Sequence, residues 1–281
     1  MTMFPLSYIP GVLILPIIAA VLASVTCGVV GTLTVTRRDV YLVGAVSHAI
    51  FAGLGFSQFA QTVLHWEWFS YNVGAILTAV TVAVIIALLR TTKERQDSSL
   101  SAIWSVGMAI GLLFMAFTPG YQTDLLNYMF GTILLVSKHD ITTMIIFNAV
   151  IIVSVILCWR GILAICCNSE TAKLRGVNVL FFEIVLSVLT ALAIVLLVRI
   201  TGIVLLIALL ALPTMASCKI SKSILPIMLL TALITALSLI LGLVVSYFTD
   251  LPPAALTVTI TAMFTIVIAV IKYVMKKVVS D

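Results

Sequence analysis

The chain of 281 residues is 63% apolar and only 9% charged, with a mean hydropathy of +1.30. A soluble domain carries about a quarter charged residues, so these values exclude a soluble enzyme, a disordered tail and an ordinary nucleic-acid binder. The net charge of +5 is explained by where the charges stand rather than by an acidic partner. What remains is an all-α, polytopic integral membrane protein forming one transmembrane domain over residues 1–281.

Intervals free of charge divide the chain, and each helical crossing needs about 20 apolar residues. Nine spanning helices are predicted, over 11–34, 41–62, 70–90, 101–118, 141–159, 179–198, 202–218, 224–247 and 254–271. Between the fourth and fifth lies Asp124–Val136, an apolar stretch too short to cross, which reads as re-entrant or interfacial. With that piece re-entrant, the basic residues sort by side. Thirteen of the 15 Lys and Arg fall on one face of the membrane, and only Lys138 and Arg199 on the other. Short cytoplasmic loops are enriched in Lys and Arg, which puts the amino terminus outside and the carboxyl terminus in the cytoplasm. Making Asp124–Val136 a full crossing destroys this sorting.

The outer loops then lean acidic, with Glu67, Asp124, Asp140 and Asp250. They offer an arriving cation a mildly attractive mouth, although acidic outer loops also simply mirror the bias of the inner ones. No signal peptide is expected, because the first apolar stretch lacks a basic start. All five cysteines, Cys27, Cys158, Cys166, Cys167 and Cys218, fall near cytoplasmic helix ends, where reducing conditions disfavour disulfides. The Cys166-Cys167 pair could meet a soft metal, but such residues are more often apolar filling. No phosphate-cradling glycine loop is present, so any ATP is hydrolysed on another chain.

The second span reads Val43-Gly44-Ala45-Val46-Ser47-His48-Ala49-Ile50-Phe51-Ala52-Gly53-Leu54-Gly55. Helical spacing places Gly44, His48, Ala52 and Gly55 on one strip. An imidazole between small residues faces a close neighbour or a cavity. His48 lies roughly 10 Å inside the helix end, where an ionisable group is costly and points to function. Neutral imidazole suits Zn, Mn, Fe or Cu; a hydrogen bond to a neighbouring helix is the structural alternative.

Four blocks in order resemble one family. They are Gly31 to Arg38 followed by Val46-Ser47-His48-Ala49; Asp124-Leu125-Leu126-Asn127-Tyr128-Met129-Phe130-Gly131; Gly202 to Ala216 with its Leu212-Pro213-Thr214; and Asp250-Leu251-Pro252-Pro253-Ala254. The chain resembles the membrane permeases of the zinc/manganese/iron ATP-binding-cassette (ABC) importers, almost end to end. That resemblance implies a type II importer-like fold working as a homodimer in the plasma (inner) membrane. Its implied partners are a separate ATPase, an extracytoplasmic metal-binding protein, a second copy of itself and the bilayer, with no nucleic acid. No cofactor is held permanently; a divalent Zn, Mn or Fe ion is the cargo. His48 becomes the metal ligand, with Ser47 beside it, and Gly44, Ala52, Asp124 and Pro213 become pore or gate positions. The family commonly carries an Asp one turn before this His, where Gly44 stands, and the loss of a hard oxygen favours softer ions such as Zn²⁺.

The segment 165–178 reads as a short helix capped by Asn168 or Ser169 and closed by Gly176. By the resemblance it is the coupling segment that docks on the ATPase, through Glu170, Lys173, Arg175 and Gly176. Elsewhere, Gly107 and Gly111 permit close helix packing, Pro213 should kink its helix, and Glu183 should reach the interface or pair with a base. Arg199 reads as an outer interface anchor. A gradient-driven secondary transporter, a permease for a metal chelate or vitamin, and a membrane scaffold without transport are the alternatives.

Overall fold

The computed structural model describes residues 13–90, 96–119, 131 and 133–280. Among the described residues ten helices follow one another: α1 (Ile14–Thr36), α2 (Val40–Thr62), α3 (Tyr71–Leu89), α4 (Gln96–Ala116), α5 (Lys138–Leu157), α6 (Trp159–Cys167), α7 (Ser169–Leu174), α8 (Val179–Ile220), α9 (Ile224–Thr249) and α10 (Pro253–Ser280). No strand occurs among the described residues. Among the described residues, eight helical stretches are long and apolar enough to cross a membrane, and Leu205–Ile220 is a further, shorter apolar arm. Asp124 and most of the predicted re-entrant piece lie outside the described residues, which resume there with Gly131 and a 3₁₀ turn at Ile133–Leu135.

The centre of the fold is α8, which is one helix only in name. Gly202 has φ 76° and ψ 163°, a region of backbone space that in practice only glycine occupies. The chain reverses there. Glu183 on the first arm reaches Arg37 at the end of α1. On the second arm, Leu210 and Thr214 pack against Gly31, about 9 Å further in along α1 at 1.5 Å per residue. The two arms therefore lie side by side with no loop between them. Their fully buried Ile194, Leu197, Leu205, Leu206, Leu209 and Leu210 form the middle of the core. Pro213 does not break the second arm, since Gly202 is the only position in α8 with non-helical torsions. The reversal of direction lies at Gly202, where glycine permits it.

Small residues let the other helices close on this hairpin. On α3, Ala75, Ala79, Ala83 and Ala87 recur every fourth residue and are all buried, a stripe at helical period. Within α1 one π turn, Cys27–Gly31, sits where the helix is squeezed. A β-carbon on Gly28 would stand 2.8 Å from the Met228 carbonyl of α9, and one on Gly31 2.8 Å from the Leu210 carbonyl of α8.

Helices α2 and α4 run side by side in the same direction. A β-carbon on Gly107 would come within 2.6 Å of Ala49 Cα, and one on Gly111 within 2.6 Å of the Phe51 backbone. The glycine pair is a packing seam, as its spacing suggests.

One end of the bundle gathers the basic residues, where α1, α3 and α6 end and α2, α4, α7 and α8 begin. The opposite end holds the Arg199–Asp140 ion pair at 3.1 Å, which anchors α8 to α5 and identifies Arg199's partner. Trp66 and Trp68 stack on each other at that same end, between α2 and α3, and both are exposed, as befits an aromatic belt at a membrane surface.

Candidate functional site

His48 stands two turns into α2 and is half-buried. Its Nδ1 lies 2.9 Å from the carbonyl oxygen of Gly44. A carbonyl only accepts, so Nδ1 carries the proton and donates, leaving the lone pair on Nε2. The indole of Trp104 lies over the imidazole, with ring centroids 4.3 Å apart and planes inclined by 29°. Trp104 can approach because residue 44 has no side chain: a β-carbon there would overlap the indole.

The imidazole opens onto a cavity of about 480 Å³ between α2, α4 and the second arm of α8. Phe51, Met108, Ile203, Ile207, Ala211 and Leu212 supply most of its wall. The lining is apolar, and His48 is its one ionisable side chain among the described residues. No group of three or more His, Cys, Asp or Glu is arranged to hold a metal among the described residues. One protomer offers a single nitrogen donor here, not a finished metal site.

Other expected positions fall differently. Ser47 is fully buried and donates its hydroxyl to the Val43 carbonyl at 2.6 Å, so it turns away from the cavity. Gly44 is roofed by Trp104 rather than open. Ala52 is half-buried on the same strip, outside the cavity lining. Gly131 packs directly on the Thr201–Gly202 turn, so the block ending at Gly131 and the block beginning at Gly202 meet in space.

A second cavity, about 600 Å³, opens at the basic end. Its wall carries a buried ion network. Arg37 pairs with Glu183, Arg90 pairs with Asp39, and Arg90 also lies 3.6 Å from Glu183. Glu183 therefore meets two bases rather than the interface. Burial pushes the Asp39 carboxyl above its usual range, against the opposing pull of the Arg90 and Arg37 guanidiniums. Cys166, Asn168, Ser169 and Glu170 complete the opposite wall, so the 165–178 segment touches the ends of the spanning helices across this space. All five cysteines are free. Burial pushes the Cys166 thiol up to about 11, while its neighbour Cys167 is exposed.

The caps of α7 follow the sequence closely. Asn168 accepts from the Thr171 amide at 3.0 Å. Past the other end, Gly176 N–H donates to Lys173 O and Val177 N–H to Ala172 O, both at 3.1 Å, the paired bonds of a Schellman motif. Gly176 has φ +79°, and a β-carbon there would touch nothing. Its requirement is conformational alone. Gly176→Ala is expected to cost about 1–2 kcal/mol, seen as a lower unfolding midpoint of the purified protein, whereas Gly176→Asn should cost less. Glu170, Lys173 and Arg175 are all exposed on this short helix and its cap.

The residues that sequence reasoning missed are Trp104, Met108, Asp39 and Arg90. Trp104 and Met108 sit on an apolar helix among other apolar residues and carry no pattern of their own. The one available signal was the gap at Gly44, one turn from a buried imidazole.

The sequence profile described as the ABC 3 transport family matches residues 11–272. A "Probable metal transport system membrane protein" of Chlamydia pneumoniae is 36% identical over 245 residues, covering 86% of this chain and 83% of that one. The "Manganese transport system membrane protein MntC" of Halalkalibacterium halodurans is 26% identical, covering 87% and 82%. The "High-affinity zinc uptake system membrane protein ZnuB" of Buchnera aphidicola is 24% identical, covering 91% and 95%. Among solved structures, "PsaBC from Streptococcus pneumoniae in complex with Fab" aligns with a TM-score of 0.79 over 92% of this chain and 91% of that one. At 23% identity this likeness speaks to the fold.

Proposed function

This chain belongs to the ABC 3 transport family, and from that premise we propose that it is the permease of an importer moving a divalent transition metal, Zn²⁺, Mn²⁺ or Fe²⁺, into the cytoplasm. Energy comes from a separate ATP-binding-cassette chain, and the ion is delivered by an extracytoplasmic metal-binding protein. The observation that carries the reading is His48, whose Nδ1 is engaged by the Gly44 carbonyl while the ring lines an otherwise apolar cavity within the membrane. The cargo named for several relatives supports it. Because one protomer offers a single nitrogen, a second copy of the chain completes the ion's surroundings.

The basic end is the cytoplasmic one by the positive-inside bias, which puts the amino terminus outside and α7 toward the ATPase. Glu170, Lys173 and Arg175 then form the charged face that meets it. Reversing all three charges is expected to lower ATP-driven metal uptake in proteoliposomes about tenfold and to weaken ATPase co-purification. Folding should survive, because exposed ion pairs contribute only about 0–1 kcal/mol. Unchanged co-purification and uptake in the triple variant would remove α7 from the docking surface. Uptake that proceeds with no ATPase present would remove the importer reading itself.

A further inference from the structure

The wall of the His48 cavity formed by α4 limits which donor atoms the ion can meet. Trp104 covers one face of the imidazole and fills the space in front of Gly44. The hydrogen bond from Nδ1 to the Gly44 carbonyl holds the ring so that only Nε2 is free. Met108, one helical turn after Trp104, lines the same cavity and brings a polarisable thioether. No carboxylate lines the space among the described residues. None can be introduced at residue 44 while the indole stays where it is.

We propose that Trp104 is a specificity-determining residue of this permease, and that Met108 is a second donor beside His48. The inference rests on the reading of His48 as an ion ligand. Trp104 pins the imidazole and keeps anionic oxygen out of its neighbourhood, so the ion is offered nitrogen and sulfur. Such donors favour soft and borderline cations, Zn²⁺ or Fe²⁺, whereas Mn²⁺ depends on carboxylate, carbonyl and water oxygens. Selectivity is a difference between two affinities, and here it arises from what the indole excludes as much as from what the site supplies.

The test is uptake of Zn²⁺ and Mn²⁺ by the complete complex of permease, ATPase and binding protein in proteoliposomes, as the ratio of the two rates per folded complex. Trp104→Ala combined with Gly44→Asp is expected to shift the ratio toward Mn²⁺ by about tenfold. Trp104→Phe, which keeps a ring over the imidazole, should stay near the native ratio. Met108→Leu conserves volume and fold, so it keeps the test open where the double variant does not assemble; it should lower Zn²⁺ uptake several-fold and leave Mn²⁺ uptake nearly unaltered. A purely structural Trp104 and Met108 would change yield and leave the ratio alone. With His48→Ala inactive, an unchanged ratio in Met108→Leu overturns the second donor and an unchanged ratio in the double variant overturns the role of Trp104, and either leaves the ligand role of His48 standing. Normal uptake by His48→Ala removes the ligand role itself.

Discussion

Zn²⁺ uptake should fall about 100-fold or more in His48→Ala, while the folded yield changes little. Altering a group that only supports a metal ligand typically costs 10- to 100-fold, and deleting the one nitrogen that a protomer offers the cavity removes more. The loss to folding is small for a physical reason. His48 is half-buried beside an open cavity, and its main partner is the Trp104 ring, a contact worth about 0.5–1.5 kcal/mol. A His kept for packing predicts the opposite pattern, with less folded protein and normal transport by what survives. Uptake of radioactive zinc, divided by the amount of assembled complex on a sizing column, separates the two.

The largest effect on stability is expected at Glu183, which is 4% exposed and lies against both Arg37 and Arg90. Alanine there strands the Arg37 guanidinium at the buried edge of the bundle and takes from Arg90 its second acid, leaving it Asp39 alone. Breaking a buried ion pair from one side costs about 3–5 kcal/mol, a large share of the margin that holds most proteins folded. Asp39 is the one acid left to the network, and Arg37 Nη1 and Arg90 Nε already lack hydrogen bonds. Glu183→Gln keeps shape and some hydrogen bonding and should lose less. Thermal unfolding in detergent should show the order native, Gln, Ala, with little dependence on salt because buried pairs are poorly screened. An alanine variant as stable as the native chain would mean that the two arginines find water instead.

Comparing these two sites explains what a reader of the sequence can and cannot see. The spans were visible because a bilayer imposes a length of apolar chain, and the caps of α7 because Asn168 and Gly176 act within a few residues of themselves. His48 was visible because imidazole is costly inside a span. Glu183 was legible as an acid within a span that would reach the interface or pair with a base, but its two partners come from α1 and the end of α3, and nothing local marks them. The reversal at Gly202 was read as two helices with a short link; the absence of any link depends on torsions that one glycine among 15 happens to adopt. Trp104 was hidden for a similar reason. Its role comes from what is missing on a different helix, and no window of consecutive residues contains both.

The hairpin at Gly202 also ties the protein to the thickness of its membrane. Its second arm, Leu205–Ile220, rises about 24 Å at 1.5 Å per residue, short of the roughly 30 Å hydrocarbon core. The first arm, Val179–Ile203, rises about 38 Å by the same measure. Because they share one turn, the mismatch cannot be divided between the two leaflets and falls at the end where Lys219 and Lys222 stand. The arm is buried by its neighbours for most of its length, so the exposed lysine stems at its end stretch toward the headgroups. Any pull of the headgroup region on these lysines thereby enters the wall of the His48 cavity through one arm of the hairpin, from its cytoplasmic end.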